Sequence, residues 1–262
     1  MIAFSKASRS LITALLALWL AGCVTTVEGP FSSKADSEKA VQSHIQLGLA
    51  YIQKGDYVTA QQRLERALSI DPKSAGAHAA MGLVYQRQGE PELAESAFRR
   101  ALGYDAKYTR GRTYYAAFLY EQERYTEAVR QFEIASEDTT FEDRAQVFAN
   151  LGLIHTRLEN VDAALQAYQR SLSLSRLPPP GVLLAMSRLL HEQGDHETGW
   201  RYYSRFLNQV SQGRAAHSPA SLGLGVAMAR EVGDRNTEAS LGLLLRNRFP
   251  DSPEAKNLRN KP

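Results

Sequence analysis

The 262-residue sequence has a single cysteine and only a small excess of positive charge. One cysteine excludes an intrachain disulfide and any zinc or redox site built from cysteine pairs. The 31 basic and 28 acidic residues give a formal net charge of +3, which excludes bulk nucleic acid as a dominant electrostatic partner unless a local basic patch exists. The hydrophobic fraction of 44% is that of a globular protein and excludes collagen-like, low-complexity and polytopic membrane classes.

The first 22 residues have the composition of a secretory signal peptide. Lys6 and Arg9 precede a mostly apolar run from Leu11 to Leu20, and no acidic residue occurs before Glu28. A run of about ten apolar residues is half the length that a transmembrane helix needs, so it favours a cleaved signal. Removal of residues 1–22 takes away Lys6 and Arg9 and lowers the net charge from +3 to +1.

The end of this segment, Leu20-Ala21-Gly22-Cys23, resembles the lipobox of bacterial lipoproteins. The resemblance implies diacylglycerol transfer to the Cys23 thiol, cleavage before Cys23 and acylation of the new amino terminus, with no further cofactor. Residue 24 is Val and not Asp, which is similar to lipoproteins sorted to the outer membrane. We therefore expect a lipid anchor on the periplasmic face of the outer membrane of a Gram-negative bacterium. The alternative is an ordinary signal peptide with a chance cysteine near its end.

Residues 23–40 are predicted to form the lipidated amino terminus and a flexible tether. Val24 to Asp36 is rich in Thr and Ser, contains Gly29-Pro30 and has no helical periodicity. Such a tether would hold the folded part close to the membrane without placing it in the bilayer.

A 34-residue period runs through the rest of the chain. His44–Pro72 aligns with His78–Ala106 at an offset of 34, the period of the tetratricopeptide repeat (TPR). Small residues let the two helices of each repeat approach, and large residues fill the space between them. The matched positions are Leu47-Gly48, Tyr51, Ala60, Leu64 and Ala67 in the first copy and Met81-Gly82, Tyr85, Ala94, Phe98 and Ala101 in the second.

This period predicts an all-α fold, a right-handed TPR superhelix of about six helix-turn-helix repeats. The TPR solenoid is predicted over residues 41–252 and is followed by a tail at 253–262. The sixth repeat is the weakest match because Ala239 falls one place late. Little of the chain is left for an independent catalytic domain. The predicted repeats are residues 41–74, 75–108, 109–142, 145–178, 180–213 and 219–252.

Patterns associated with catalysis or metal binding are incomplete. His191-Glu192 and His196 resemble the HExxH motif of zinc peptidases, but the second histidine is one position late and Gly194 ends the helix between them. Gly223-x-Gly225 lacks the third glycine and the preceding strand of a dinucleotide-binding loop, so it indicates close helix packing. We predict a protein that is not an enzyme and that binds no metal ion, nucleic acid or small-molecule substrate.

The first helices of stacked TPRs line a concave groove, and large apolar residues occupy several of the positions that point into it. Solvent is expected at these positions, so apolar residues there indicate a site for an apolar partner segment, either a helix or an extended peptide. The alternative is that residues 37–42 fold back and cover them. The predicted groove residues are Ile45, Leu49, Ile52, Leu83 and Tyr120.

The linker between the third and fourth repeats indicates a narrower family. Phe132 to Leu153 contains Ala-Ser-x-Asp-Thr-x-Phe-x-x-Arg followed by Val-Phe-x-Asn-Leu-Gly, which is similar to the TPR lipoproteins of type IV pilus biogenesis, the PilF/PilW family. Phe118–Tyr125 and Ile45–Leu49 are also similar to that family. Thr113–Ala117 departs from it, because relatives tend to have Asn-Tyr-Gly-Gly there.

The resemblance implies a pilotin-type function. Such a lipoprotein binds type IV pilus secretin subunits and promotes their outer-membrane localisation and multimerisation. Tethering raises the effective concentration of the client beside the bilayer. The alternative is a TPR lipoprotein scaffold for another envelope machine, such as β-barrel assembly or a peptidoglycan-hydrolase adaptor. The bound secretin segment, the stoichiometry and the role of repeats five and six do not follow from the sequence.

Overall fold

A computed structural model describes residues 32–260, which form thirteen helices and no strand within that range. The predicted signal peptide, Cys23 and residues 23–31 of the predicted tether lie outside the described residues. Among the helices that are described, none is long and apolar enough to cross a membrane.

Twelve of the helices form six antiparallel pairs that follow the six predicted repeats in order. The all-α TPR superhelix predicted from the 34-residue period is therefore confirmed. The pairs are α1 (Ser32–Gln53) with α2 (Tyr57–Ile70), α3 (Ala75–Gln88) with α4 (Pro91–Tyr104), α5 (Thr109–Glu121) with α6 (Tyr125–Ser136), α7 (Arg144–Arg157) with α8 (Val161–Leu174), α9 (Pro180–Glu192) with α10 (His196–Ser211), and α11 (Pro219–Glu231) with α12 (Arg235–Arg248), and α13 (Pro253–Asn260) follows.

The first helix begins earlier than predicted. α1 starts at Ser32, so residues 32–40 of the predicted flexible tether are helical, and the tether prediction is wrong for that part. A helix that is already held by packing extends at little cost into residues of ordinary helix propensity, and SSKADSEKA contains no Gly or Pro. Residues 37–42 continue α1, with Val41 buried in the core, and do not fold back over the groove.

The predicted C-terminal tail is also helical. α13 packs on both helices of the sixth repeat, with Ala255 fully buried and Leu258 half-buried against the core. The last repeat of a solenoid has no following repeat to cover its apolar face, so a terminal helix that covers it stabilises the end of the stack.

Glycines allow the paired helices to approach closely. A Cβ on Gly82 would lie 2.6 Å from the ring of Phe98, and a Cβ on Gly152 would lie 2.5 Å from the ring of Tyr168. Both rings are buried. Gly225 has the closest contact, because a Cβ there would lie 2.1 Å from the Tyr203 hydroxyl oxygen. Gly223-x-Gly225 is thus a helix-packing feature, as predicted.

Aspartate side chains cap the second helix in three of the pairs. Each carboxylate accepts a hydrogen bond from the backbone N–H three residues later, where a threonine stands in every case. These bonds favour the charged carboxylate and lower the pKa of each aspartate. The pairs are Asp56 with Thr59 at 3.0 Å, Asp195 with Thr198 at 3.1 Å and Asp234 with Thr237 at 3.0 Å.

An ion-pair network joins the second and third repeats. Glu95 on α4 accepts hydrogen bonds from Arg124 at 2.7 Å and from the Tyr115 hydroxyl at 2.9 Å. Arg124 also donates two 2.7 Å bonds to Glu127. The hydrogen bond from Arg124 is the main cause that lowers the pKa of Glu95 to about 2. The network therefore links α4, α5 and the start of α6 through partly buried side chains, with Glu127 exposed at its edge.

Glu95→Gln is expected to lower the free energy of unfolding by about 1 to 2 kcal/mol at pH 7, because it removes charged hydrogen bonds. Since the pKa is lowered from an ordinary value of 4.5, the stabilisation is complete above that pH and is lost as the pH falls towards about 2. Urea unfolding of both proteins between pH 7 and pH 2 measures the difference. The control is Glu92→Gln, which changes an exposed carboxylate on the same helix. If the free energies of unfolding of Glu95→Gln and the unmodified protein differed by the same amount at every pH, the charge of Glu95 would not be what stabilises the fold.

Candidate partner-binding grooves

The first helices of the repeats form the inner layer of the solenoid. α1 contacts α3, α3 contacts α5, and α9 contacts α11, each directly. The second helices lie outside them, as stacking of TPRs requires. Side chains that α1, α3, α5, α7, α9 and α11 leave uncovered therefore face the concave side of the superhelix.

One of the predicted groove residues is not available to a partner. Ile45 is only 5% exposed and belongs to the core cluster between the first and second repeats. Its Cδ1 lies 3.1 Å from the position that a Cβ on Gly76 would occupy. The absence of a side chain on Gly76 lets Ile45 enter the interface with α3, so the assignment of Ile45 to the groove surface is corrected.

The other four predicted groove residues keep part of their surface uncovered and are called here the proximal surface. Leu49 and Ile52 pack half-buried against the cluster of the first two repeats. Leu83 and Tyr120 pack half-buried against the cluster centred on the second and third repeats. Tyr85 contacts both clusters, so the two halves of the surface are adjacent. This arrangement can accept an apolar segment but contains no group suited to covalent chemistry.

A second groove, the distal groove, lies on α7, α9 and α11 and has a volume of about 490 Å³. Its apolar lining includes Leu153, Val182, Leu184 and Leu224, and Leu153 is 39% exposed. This groove was not predicted from the sequence. The sequence does contain an indication of it, because Leu153 and Leu184 occupy the same positions in their repeats as the predicted groove residues Leu49 and Ile45.

Polar groups stand around the apolar lining of the distal groove. Gln146 donates a 2.9 Å hydrogen bond to Asn150 on the next turn of α7. Arg188 is exposed on α9, and no ion pair or hydrogen bond within residues 32–260 involves its guanidinium. Burial raises the pKa of Tyr168 beneath the groove, and the charge of Arg188 opposes that shift. The groove thus has one positive charge and no carboxylate in its lining.

The two histidines that resemble a zinc motif hydrogen-bond to each other. The Nδ1 atoms of His191 and His196 are 2.9 Å apart, across the turn between α9 and α10. Across the described part of the chain, no group of three or more His, Cys, Asp or Glu side chains is arranged to hold a metal ion. The two histidines could therefore supply two metal ligands, but no third His, Cys, Asp or Glu side chain of the described residues joins them.

Known proteins match this chain over almost its whole length. Family models described as TPR repeat or tetratricopeptide repeat match residues 48–89, 75–108 and 108–180. The type IV pilus assembly protein PilF of Pseudomonas aeruginosa is 39% identical over 247 residues, which are 94% of this chain and 96% of that protein. The chain belongs to the PilF family.

Solved structures agree with the PilF assignment. A structure of P. aeruginosa PilF has a TM-score of 0.79 and 37% sequence identity, and the match covers 86% of this chain and 99% of that one. The structure of PilW, a type IV pilus biogenesis factor, has a TM-score of 0.70 and covers 83% of this chain and 97% of its own. At 23% identity PilW supports the fold alone. The predicted family is confirmed, and the chain is a TPR protein of type IV pilus biogenesis.

Proposed function

We propose that this protein is a non-enzymatic outer-membrane lipoprotein that binds type IV pilus secretin subunits and promotes their localisation and multimerisation. The observation that carries the proposal is its membership of the PilF family, with 39% identity over 94% of the chain. The apolar surfaces on the concave side of the solenoid agree with a protein that binds segments of other proteins.

In this proposal the chain has two separable parts. A lipid on Cys23 holds the protein at the periplasmic face of the outer membrane, and the proximal surface binds the client. Recognition and anchoring together raise the effective concentration of secretin subunits beside the membrane that they enter. No bond is made or broken, so the protein needs no catalytic residue and no cofactor besides the covalent lipid.

Deletion of the gene tests this function. We expect heat-resistant secretin multimers to disappear from the outer membrane and twitching motility to be lost, and a plasmid-borne copy should restore both. Intact multimers in the deletion strain would overturn the proposal. A pull-down that recovers β-barrel assembly or peptidoglycan-hydrolase components and no secretin would favour a scaffold for another envelope machine.

The proximal surface gives a prediction of its own. Leu49→Glu is expected to weaken secretin binding more than about tenfold, because a charge replaces an apolar contact that the partner must desolvate. Binding of the purified proteins by calorimetry measures the loss, and circular dichroism checks that the helices remain. Leu49→Ala gives a second variant without a new charge.

The matched control for Leu49→Glu is Val58→Glu. Val58 is 66% exposed on the outer helix α2, so a charge there disturbs neither the core nor the concave side. Unchanged secretin binding by both Leu49 variants would show that the proximal surface is not the secretin site.

A further inference from the structure

The distal groove differs chemically from the proximal surface. The proximal surface consists of Leu49, Ile52, Leu83 and Tyr120, and the nearby cation Arg157 is already engaged with the side chain of Tyr120. The distal groove combines aliphatic side chains with the guanidinium of Arg188. Two surfaces of different chemistry on one solenoid favour two different partner segments.

The charge of the distal groove has one sign. Arg188 has no ion-pair partner within residues 32–260, and no carboxylate lines the groove. Gly181 and Ala220, which also line it, lie in the first turns of α9 and α11, where the helix dipoles place partial positive charge. The arginine and both helix ends therefore favour an anionic group in an otherwise apolar site.

We propose that the distal groove binds an internal peptide segment of a protein partner, with aliphatic side chains against Leu153 and Leu184 and an aspartate or glutamate side chain paired with Arg188. The planar guanidinium pairs with a carboxylate through two parallel hydrogen bonds. Because Arg188 is exposed at the edge of the groove, the pair stays in contact with water and its attraction weakens as salt is added. This inference does not depend on which protein of the pilus machine is the partner.

The partner carboxylate is assigned to a side chain and not to a chain end. A site for a terminal carboxylate needs several converging donors, as in carboxylate-clamp TPR domains with their Lys and Asn side chains. Here Arg188 is the one charged side chain in the lining, and the amides of Gln146 and Asn150 stand on a different helix, where they are hydrogen-bonded to each other. One side-chain carboxylate flanked by aliphatic residues matches a lining that has one arginine among aliphatic side chains.

Gly181 allows the groove to be blocked without disturbing the fold. A Cβ at Gly181 would meet nothing within 4 Å, and Gly181 is helical with an ordinary backbone conformation. Gly181→Leu therefore adds a bulky side chain at a residue that lines the groove, and a helix former replaces glycine. Gly103→Leu is the matched control, because Gly103 is also helical with open space at its Cβ but lies on α4, outside the groove.

The test measures binding of fluorescent, acetylated and amidated 12-residue peptides of leucine and alanine that carry a central Asp, Asn or Lys. The full mature chain carries Cys23→Ser so that it can be isolated without detergent, which would compete for the groove. We expect the Asp peptide to bind about threefold more tightly than the Asn peptide and more tightly still than the Lys peptide. Gly181→Leu should weaken binding of the Asp peptide by a similar factor.

Reversal of the charge at residue 188 gives the decisive comparison between the Asp and Lys peptides. Arg188→Glu is expected to weaken the Asp peptide by about tenfold or more and to strengthen the Lys peptide. Arg63→Glu is the control, because Arg63 is an exposed arginine on the outer helix α2 with no ion pair among the described residues. Equal affinities for the three peptides, no binding at all, or loss of binding in Arg63→Glu to the same extent as in Arg188→Glu would overturn the proposal.

Other occupants of the groove give distinct results. Tighter binding of a free-acid peptide than of its amide would assign the site to a chain end and overturn the side-chain assignment. A dimer in light scattering that Gly181→Leu dissociates would assign the groove to a second copy of this chain. The designed peptides contain no secretin sequence, so a failure of the secretin proposal leaves these outcomes unchanged. Conversely, secretin binding that is lost in Leu49→Glu but kept in Gly181→Leu would support the function without the distal groove.

Discussion

Gly225→Ala is expected to lower the free energy of unfolding by about 3 kcal/mol or more, one of the largest effects available to a single methyl group in this chain. The new Cβ would lie 2.1 Å from the hydroxyl oxygen and 2.3 Å from Cζ of Tyr203. The ring cannot move away easily, because Tyr203 is fully buried and its hydroxyl donates a 2.8 Å hydrogen bond to the carbonyl oxygen of Ser221. The backbones of α10 and α11 must therefore separate, and the interface between repeats five and six opens.

Gly103→Ala serves as the control with the opposite expected sign. The same chemical change there meets nothing within 4 Å and improves helix propensity in α4, so we expect an increase in stability of about 0.5 to 1 kcal/mol. Urea unfolding followed by circular dichroism compares the variants. A solenoid can unfold in parts, so the tyrosine fluorescence and the helical signal should both be recorded. Similar unfolding midpoints for Gly225→Ala and Gly103→Ala would show that the interface between repeats five and six is loosely packed around Tyr203.

The repeats could be predicted because the residues that define them make contacts within one helix pair. Gly82 and Phe98 are 16 positions apart, and their contact recurs as Gly152 with Tyr168. Such contacts impose the 34-residue period directly on the sequence. The family could also be predicted, because the linker around Phe141 departs from the general TPR pattern.

Features that depend on contacts between repeats were harder to predict. The position of Ile45 within its repeat indicates a groove residue, but Gly76 in the next repeat decides that it is buried. The helical start of α1 and the terminal helix α13 have no repeat pattern at all, since the first extends a helix that is packed from Val41 onwards and the second is held by packing on the sixth repeat. The distal groove combines side chains from four helices, so its one unpaired charge could not be recognised from the sequence of any single repeat.

Loss of the lipid anchor gives the largest effect expected in the cell. We propose that Cys23 carries the lipid, and each acyl CH₂ that enters the bilayer contributes about 0.8 kcal/mol to membrane binding. One acyl chain gives only marginal, reversible binding, but two or more chains hold a protein stably. A variant with Cys23→Ala behind an ordinary cleavable secretory signal should therefore move almost completely from the membrane pellet to the soluble periplasmic fraction.

This variant also separates anchoring from recognition. The concave surfaces stay intact in Cys23→Ala, so the purified protein should bind secretin as tightly as the unmodified chain does. In the cell the effective concentration beside the membrane is lost, and we expect the outer-membrane secretin multimers to fall about tenfold or more. Leu49→Glu should give the converse result, with full membrane attachment and weak binding. A Cys23→Ala protein that remains in the membrane pellet after a high-salt wash would contradict the lipid anchor. A soluble protein that still supports normal multimers would show that recognition alone is sufficient for assembly.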